Sequence, residues 1–200
     1  ASRFLFGNTV SLLNTMAAHG VDVSFVDATD AAEVERALTP ATRLVFVETI
    51  ANPRTQVADL EAIGVLCRAR GLVYVVDNTM TSPWLFRPTD VDASLVVNAL
   101  TKYIGGHGNA LAGAITDTGR FDWTRYPNIA APYRSAAPAM QGITQLRKKG
   151  LRDFGATLAA EQAHHIAVGA ETLALRLDRI SANAQALAEK ERRENGGESG

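Results

Sequence analysis

Apolar residues in the first part of the chain alternate between compact runs and longer stretches with helical spacing. The pattern predicts strands over residues 21–26, 43–48 and 72–77, and helices over residues 30–38 and 57–70. Strands and helices that alternate in this way form a parallel sheet covered by helices. The sequence therefore predicts an α/β fold.

Two further apolar runs, residues 93–97 and 110–116, flank a turn that is rich in glycine. The turn reads Gly105-Gly106-His107-Gly108, and glycine permits backbone geometries that are closed to other residues. The first of these runs leads directly to a loop that carries Lys102.

Beyond residue 150, apolar residues recur at helical spacing as far as about residue 187, which predicts long helices. Gly155 and Gly169 are the expected interruptions. The positions that carry the spacing are Leu158, His165, Val168, Leu173, Leu177 and Ile180.

Composition and charge limit the kinds of molecule that the chain is expected to bind. The net charge is -1, with basic and acidic residues mixed along most of the 200-residue chain, so no broad charge favours nucleic acid or an anionic membrane. Cys67 is the single cysteine, which excludes an internal disulfide and fits a reducing cytoplasm. No apolar run approaches the roughly 20 residues that span a bilayer. A small-molecule partner is expected.

Asp77 stands at the end of an apolar strand, the edge of an open α/β sheet at which ligands usually bind. Taken alone, this carboxylate is more simply explained as a cap for the turn or helix that follows.

Lys102 changes this interpretation, because it follows a second strand and lies between the hydroxyl of Thr101 and several glycines. A lone lysine is usually a solvated surface charge. A strand, a hydroxyl, a lysine and glycines together favour a loop that binds a ligand such as a phosphate.

The chain resembles the Cys/Met-metabolism family of enzymes that depend on pyridoxal 5′-phosphate (PLP). This family includes cystathionine γ-synthase, cystathionine γ-lyase, methionine γ-lyase and the homoserine-ester sulfhydrylases. The motifs that carry the resemblance, in chain order, are Phe6-Gly7-Asn8-Thr9, Glu48-Thr49-Ile50-Ala51-Asn52-Pro53, Val76-Asp77-Asn78-Thr79, Thr101-Lys102-Tyr103 and Asn183-Ala184-Gln185-Ala186-Leu187.

The resemblance implies the large domain of a type I (aspartate aminotransferase-like) PLP-dependent transferase, incomplete at both ends. Residues 1–150 would form part of the central PLP-binding α/β domain. Residues 151–188 would be a helical segment leading toward a C-terminal domain. Residues 189–200 carry no resemblance to the family, and their charge and glycine content predict a disordered tail.

The resemblance also implies roles for five residues. Lys102 would form the Schiff base (internal aldimine) with PLP, Asp77 would pair with the pyridine nitrogen, and Thr101 would contact the phosphate. Asn52 would lie near the phenolic oxygen of the cofactor and the substrate carboxylate. Phe6 would stack on the ring.

Two positions depart from the family pattern. Phe6 stands where the family usually has a tyrosine, which preserves stacking and removes a hydroxyl that could handle protons. Ala99 replaces a serine that usually binds the phosphate, which removes one contact.

The activity implied is γ-replacement or γ-elimination on a sulfur amino acid or a homoserine ester, in an enzyme that forms homo-oligomers (dimers or tetramers). These residues do not decide between synthase, lyase and sulfhydrylase. The competing hypothesis is a truncated, catalytically inactive PLP-fold fragment or an oligomerisation module.

A glycine-rich stretch and a pair of histidines are weaker signals, and neither predicts a site. The glycines from Gly106 to Gly113 lack the spacing of a dinucleotide-binding fingerprint. His164 and His165 are adjacent, so on a helix they point about 100° apart and make a poor metal pair. No metal site is predicted.

Overall fold

The computed structural model describes residues 1–196, with side chains described as far as residue 194. One sheet has the strand order β1-β2-β3-β4, in which β1, β2 and β3 are parallel and β4 is antiparallel to β3. The strands are β1 (Leu44–Glu48), β2 (Val73–Asp77), β3 (Leu95–Ala99) and β4 (Gly113–Asp117). The predicted α/β architecture with a mostly parallel sheet is confirmed.

Helices flank the sheet and continue to the end of the described chain. They are α1 (Gly7–Ala17), α2 (Ala31–Arg36), α3 (Leu60–Arg70), α4 (Ser82–Leu85), α5 (Gln141–Gln145), α6 (Arg152–Phe154), α7 (Ala160–Ala170) and α8 (Leu173–Gly196). A π-helical turn, Leu146–Leu151, joins α5 to α6. None of the helices within residues 1–196 is long and apolar enough to cross a membrane.

The second strand, β2, is buried on both faces. Tyr74 and Val76 pack into a core beneath α2 and α3, and Val73 and Val75 pack into a second core that contains Trp123. Burying each apolar side chain of this size contributes roughly 1.5–3 kcal/mol. The strand therefore forms a firm support for the residue at its end, Asp77.

The strand predicted over residues 21–26 is wrong. Only Val26 takes part in a bridge, with Ser2, and Val21 is exposed. Alternating apolar residues produce a strand only when a neighbouring segment supplies a ladder of hydrogen bonds, which is lacking along residues 21–25 in this structure. The helix α1 was not predicted from the sequence, and none of its residues is buried.

The two glycines expected to interrupt the C-terminal helices differ in their roles. Gly155 follows α6 with a φ of +78°, a left-handed conformation that ends the helix, as predicted. Gly169 lies in the last turn of α7, and the helical stretch is interrupted just after it, at residues 171 and 172, as predicted. A Cβ atom at residue 169 would lie 1.9 Å from the carbonyl oxygen of Gly105, so glycine allows α7 to approach the loop that carries Lys102.

Residues 189–196, predicted from their charge to begin a disordered tail, form the last turns of α8. Charged pairs four residues apart favour a helix, and here Lys190 Nζ lies 3.7 Å from a carboxylate oxygen of Glu194. Residues 197–200 of the predicted tail lie outside the described residues.

We predict that Gly64→Ala destabilises the protein by about 1–3 kcal/mol, the usual cost of overpacking a filled interior. Gly64 lies in α3, and an added Cβ atom would come within 2.0 Å of the carbonyl oxygen of Val91. Gly150→Ala is the control, since nothing lies within 4 Å of its added atom. Urea unfolding measures both variants, and equal stabilities would contradict the predicted close contact.

Candidate active site

The carboxyl ends of the parallel strands open onto a cavity of about 990 Å³. Asp77 is the last residue of β2, and Lys102 lies three residues beyond the end of β3. All five predicted site residues line this cavity, and they are Phe6, Asn52, Asp77, Thr101 and Lys102. The structure thus brings together side chains from four separate segments of the sequence.

The carboxylate of Asp77 is held through one of its two oxygens. Oδ1 accepts hydrogen bonds from the backbone N–H of Thr79 at 2.9 Å and from its hydroxyl at 2.5 Å. The same hydroxyl accepts a hydrogen bond from the backbone N–H of Ala99 at 2.8 Å. Within residues 1–194, Oδ2 receives no hydrogen bond, so it remains available to an N–H donor in the cavity.

Lys102 has a fixed backbone and an uncommitted amine. Its N–H donates to the carbonyl of Ala99 at 3.1 Å, and its carbonyl accepts from the N–H of Gly106 at 2.7 Å. Its exposed side chain forms neither an ion pair nor a hydrogen bond with the side chains and backbone of the described chain. This primary amine can therefore react with a group placed in the cavity.

The hydroxyl of Thr101 joins the Lys102 loop to the segment that leads into β4. It accepts a hydrogen bond from the N–H of Ala112 at 3.0 Å and donates to the carbonyl of Ala112 at 3.3 Å. The second of these is long, so the hydroxyl proton can turn toward a stronger acceptor such as a phosphate oxygen.

Phe6 and Asn52 are connected by one buried carboxylate. Glu48 accepts a hydrogen bond from the N–H of Phe6 at 2.6 Å on one oxygen and from the N–H of Asn52 at 3.2 Å on the other. Glu48 is the last residue of β1 and lies in register with Asp77. It fixes the backbone at both residues.

Burial raises the pKa of the Glu48 carboxyl above its ordinary value of 4.5. The hydrogen bonds from Phe6 and Asn52 act in the opposite direction, and the nearby charge of Asp77 raises the pKa further. The net effect is upward because the side chain is 7% exposed and an ionised carboxylate loses hydration there.

Sequence reasoning assigned no role to three residues that organise this cavity, namely Glu48, Thr79 and Arg176. Glu48 and Thr79 stand inside quoted motifs, and an acid at a strand end or a Thr two residues after an Asp is a usable signal for such contacts. Arg176 donates to the carbonyl of Tyr103, 73 residues away along the chain. No local pattern marks that contact.

The cysteine and the paired histidines that the sequence offered lie outside this site. Cys67 is buried in the core, as predicted, and burial raises its pKa to about 12. The rings of His164 and His165 have centroids 6.2 Å apart. Within residues 1–196, no group of three or more His, Cys, Asp or Glu side chains is placed to hold a metal ion.

The side chains in the cavity fit PLP. Its aldehyde needs a primary amine, its pyridine nitrogen needs an acidic partner and its phosphate needs hydrogen-bond donors. The uncommitted amine of Lys102 and the free Oδ2 of Asp77 provide the first two, and the Thr101 hydroxyl is one donor of the third kind.

Known proteins that are similar to this chain belong to one family of PLP-dependent enzymes. The family model for the Cys/Met metabolism PLP-dependent enzymes matches residues 1–192. O-acetyl-L-homoserine sulfhydrylase of Leptospira meyeri is 35% identical over 212 residues, covering 94% of this chain and 47% of that protein. L-methionine gamma-lyase of Pseudomonas putida is 36% identical over 187 residues, covering 92% of this chain and 42% of that protein.

The fold of this chain is also similar to that of a solved structure. O-acetylhomoserine sulfhydrylase of Wolinella succinogenes matches with a TM-score of 0.87 and 40% identity, over 94% of this chain and 53% of that one. The chain therefore spans about half the length of the relatives it matches. The family resemblance, the PLP-type fold and the PLP cofactor predicted from the sequence are confirmed.

We predict that the stability difference between the wild type and Glu48→Gln depends on pH. The folded chain takes up the Glu48 proton at a higher pH than the unfolded chain, whose value is near 4.5. The wild type should therefore gain stability relative to the variant as the pH falls from neutral to 4.5, and no more below that.

Urea unfolding at a series of pH values measures this difference. Glutamine keeps one oxygen acceptor, so the loss of one of the two backbone hydrogen bonds adds an offset that does not vary with pH. A difference that stays flat over the whole range would mean that Glu48 titrates alike in the folded and unfolded chains.

Proposed function

The chain belongs to the Cys/Met metabolism family of PLP-dependent enzymes, and we propose that its full-length protein catalyses γ-replacement or γ-elimination on sulfur amino acids or homoserine esters. The observation that carries the proposal is the placement of Lys102 and Asp77 at one cavity. Both lie at the ends of neighbouring parallel strands, and each has an uncommitted functional group.

Lys102, Asp77 and Thr101 would hold the cofactor. The Lys102 amine would bond to its aldehyde, Oδ2 of Asp77 would accept a hydrogen bond from the ring nitrogen, and the Thr101 hydroxyl would donate to the phosphate. When bound, PLP supplies an electron sink for negative charge that develops on the substrate carbons beside the amino group. Asp77 would sustain this chemistry, because a negative charge beside the ring nitrogen favours its protonated form.

Lys102 would also move protons. When its Nζ atom is not bonded to the cofactor, it would be a proton acceptor tethered beside the substrate. It would take the proton from the α-carbon and exchange protons at the β-carbon, which would allow the γ-substituent to leave. The backbone of Lys102 is fixed by two hydrogen bonds, and this would help to hold the amine near both carbons.

Phe6 and Asn52 would shape the other side of the cavity. Phe6 is 44% exposed, so its ring presents an apolar face on which a cofactor ring can stack. It has no hydroxyl, which leaves Lys102 to handle protons without help from residue 6. The side-chain amide of Asn52 can donate to the phenolic oxygen of the cofactor and to a substrate carboxylate.

The proposed substrate is an amino acid, and the proposed assembly is a homo-oligomer, as in the family. The proposal also includes the domain boundaries expected from the sequence, with the PLP-binding domain over residues 1–150 and a helical segment over residues 151–188. γ-Replacement adds a thiol to the substrate after the γ-substituent leaves, whereas γ-elimination adds water and releases a 2-oxo acid and ammonia. Assaying the full-length protein on a homoserine ester, with and without a thiol, distinguishes these routes.

We predict that Lys102 carries the cofactor. The full-length protein, mixed with PLP, should develop a visible absorption band, and borohydride should fix the cofactor to the peptide that contains Lys102. The measurements are the absorption spectrum and mass mapping of the reduced adduct. Lys102→Ala should abolish the adduct and lower turnover by about 100-fold or more, since it removes the tethered base.

The matched control is Lys148→Ala, which removes an exposed lysine outside the cavity. It should keep both the adduct and the turnover. An adduct that survives in Lys102→Ala, or none in the wild type, would contradict the proposed role and favour an inactive fold.

A further inference from the structure

The loop that follows Lys102 is held by a guanidinium group from a distant helix. Arg176, in the first turns of α8, donates from Nη1 to the carbonyl of Tyr103 at 2.6 Å and from Nη2 to that of Ile104 at 3.3 Å. These are the two residues directly after Lys102. Each of the two backbone carbonyls thus receives a charge-assisted hydrogen bond, the stronger kind in proteins.

The same guanidinium is anchored on its own side. Its Nη2 donates to the carbonyl of Gly169 at 2.8 Å, and its Nε donates to the hydroxyl of Thr172 at 3.0 Å. A guanidinium is a planar fork with five N–H donors, and these four acceptors surround it as that geometry requires. Among the side chains described, no carboxylate pairs with Arg176, so its partners within the described chain are neutral oxygen atoms.

Glycines make this contact possible. A Cβ atom on Gly106 would lie 2.4 Å from the Cζ atom of Arg176, and the φ of Gly106 is +74°. A Cβ atom on Gly169 would collide with the carbonyl oxygen of Gly105. The Lys102 loop is therefore shaped to admit the guanidinium and the backbone of α7 at close range.

A second contact ties α8 to the neighbouring strand end. Trp84 of α4 donates from Nε1 to Oδ1 of Asp178 at 2.8 Å. The helix α4 begins five residues after Asp77, the last residue of β2. Arg176 and Asp178 lie within one turn of α8, so this turn contacts the segments that follow both β2 and β3.

We propose that Arg176 is a positioning residue, which sets the direction of the Lys102 amine by clamping the backbone of Tyr103 and Ile104 to α7 and α8. This inference rests on the proposed function of Lys102. It adds that the position of α8 determines how well Lys102 meets the cofactor. Arg176 acts through the loop, and a displacement of about 1 Å at a reacting group can cost as much as 100-fold in rate.

The test uses the full-length protein, as purified and again after removal of the cofactor. Arg176→Met keeps most of the aliphatic stem and removes all five donors. Hydrogen exchange at the amides of residues 102–106 should speed up by about tenfold or more, the effect of losing hydrogen bonds to a charged group. The dissociation constant for PLP should rise by about tenfold or more, since a loosely held amine loses preorganisation.

The matched control is Arg179→Met. Arg179 lies on the same helix, lines the same cavity and makes no hydrogen bond or ion pair with the residues whose side chains are described. The Arg179→Met variant removes the same charge and leaves the clamp intact, so hydrogen exchange in the Lys102 loop should match that of the wild type. Exchange in β2 serves as the check that each variant is folded.

Arg176→Lys keeps the charge and tests the geometry. A single ammonium cannot reproduce the fork that reaches three carbonyls. The rate of hydrogen exchange in the Lys102 loop of Arg176→Lys, and its affinity for PLP, should therefore fall between those of the wild type and Arg176→Met. If Arg176→Met does not fold, this variant decides the question, and wild-type behaviour in both readouts would overturn the proposal.

The remaining outcomes are also decisive. Unchanged loop exchange in Arg176→Met would show that Arg176 does not clamp the loop, and faster exchange with unchanged PLP affinity would show that the clamp does not position Lys102. A failure of the proposed function can be distinguished from a failure of the clamp. In the first case the wild type would form no borohydride adduct. Hydrogen exchange measured without the cofactor would still show whether Arg176 holds the loop.

Discussion

One hydroxyl joins the two strand ends on which the site is built. The hydroxyl of Thr79 donates to Asp77 at the end of β2 and accepts from the backbone of Ala99 at the end of β3. Only a group that is both donor and acceptor can make this bridge. Because β2 and β3 are parallel, their carboxyl ends meet at one edge, and this bridge fixes the distance from the carboxylate to the start of the Lys102 loop.

The rest of the fold keeps that edge in place. Strand β2 is buried on both faces, so its end cannot shift without disturbing two cores. The loops beyond the strands have less apolar support and depend on charged side chains instead. Glu48 holds the backbone of Phe6 and Asn52, and Arg176 holds the loop after Lys102. A rigid strand with loops tied by specific hydrogen bonds is the arrangement that a precise binding site requires.

Local patterns predicted the strands β1 to β3, marked the apolar run that contains β4, and placed Asp77 and Lys102 after strand ends, because apolar runs and strand-end polar residues are signals within a few residues. Two residues that organise the site, Glu48 and Arg176, escaped prediction because their partners are far away in sequence. Glu48 and Phe6 are 42 residues apart, and Arg176 and Tyr103 are 73. The false strand over residues 21–26 has the same origin, because a strand also depends on a partner that its own sequence does not reveal.

Two carboxylates at equivalent strand ends show why an acid alone does not identify a site. Glu48 and Asp77 lie in register on neighbouring strands. Glu48 is buried, and each of its oxygens accepts a backbone hydrogen bond, so it serves the fold and burial raises its pKa. Asp77 has one oxygen committed to Thr79 and the other open to the cavity. The oxygen without a hydrogen bond, and not the presence of the acid, makes Asp77 the candidate partner for a ligand.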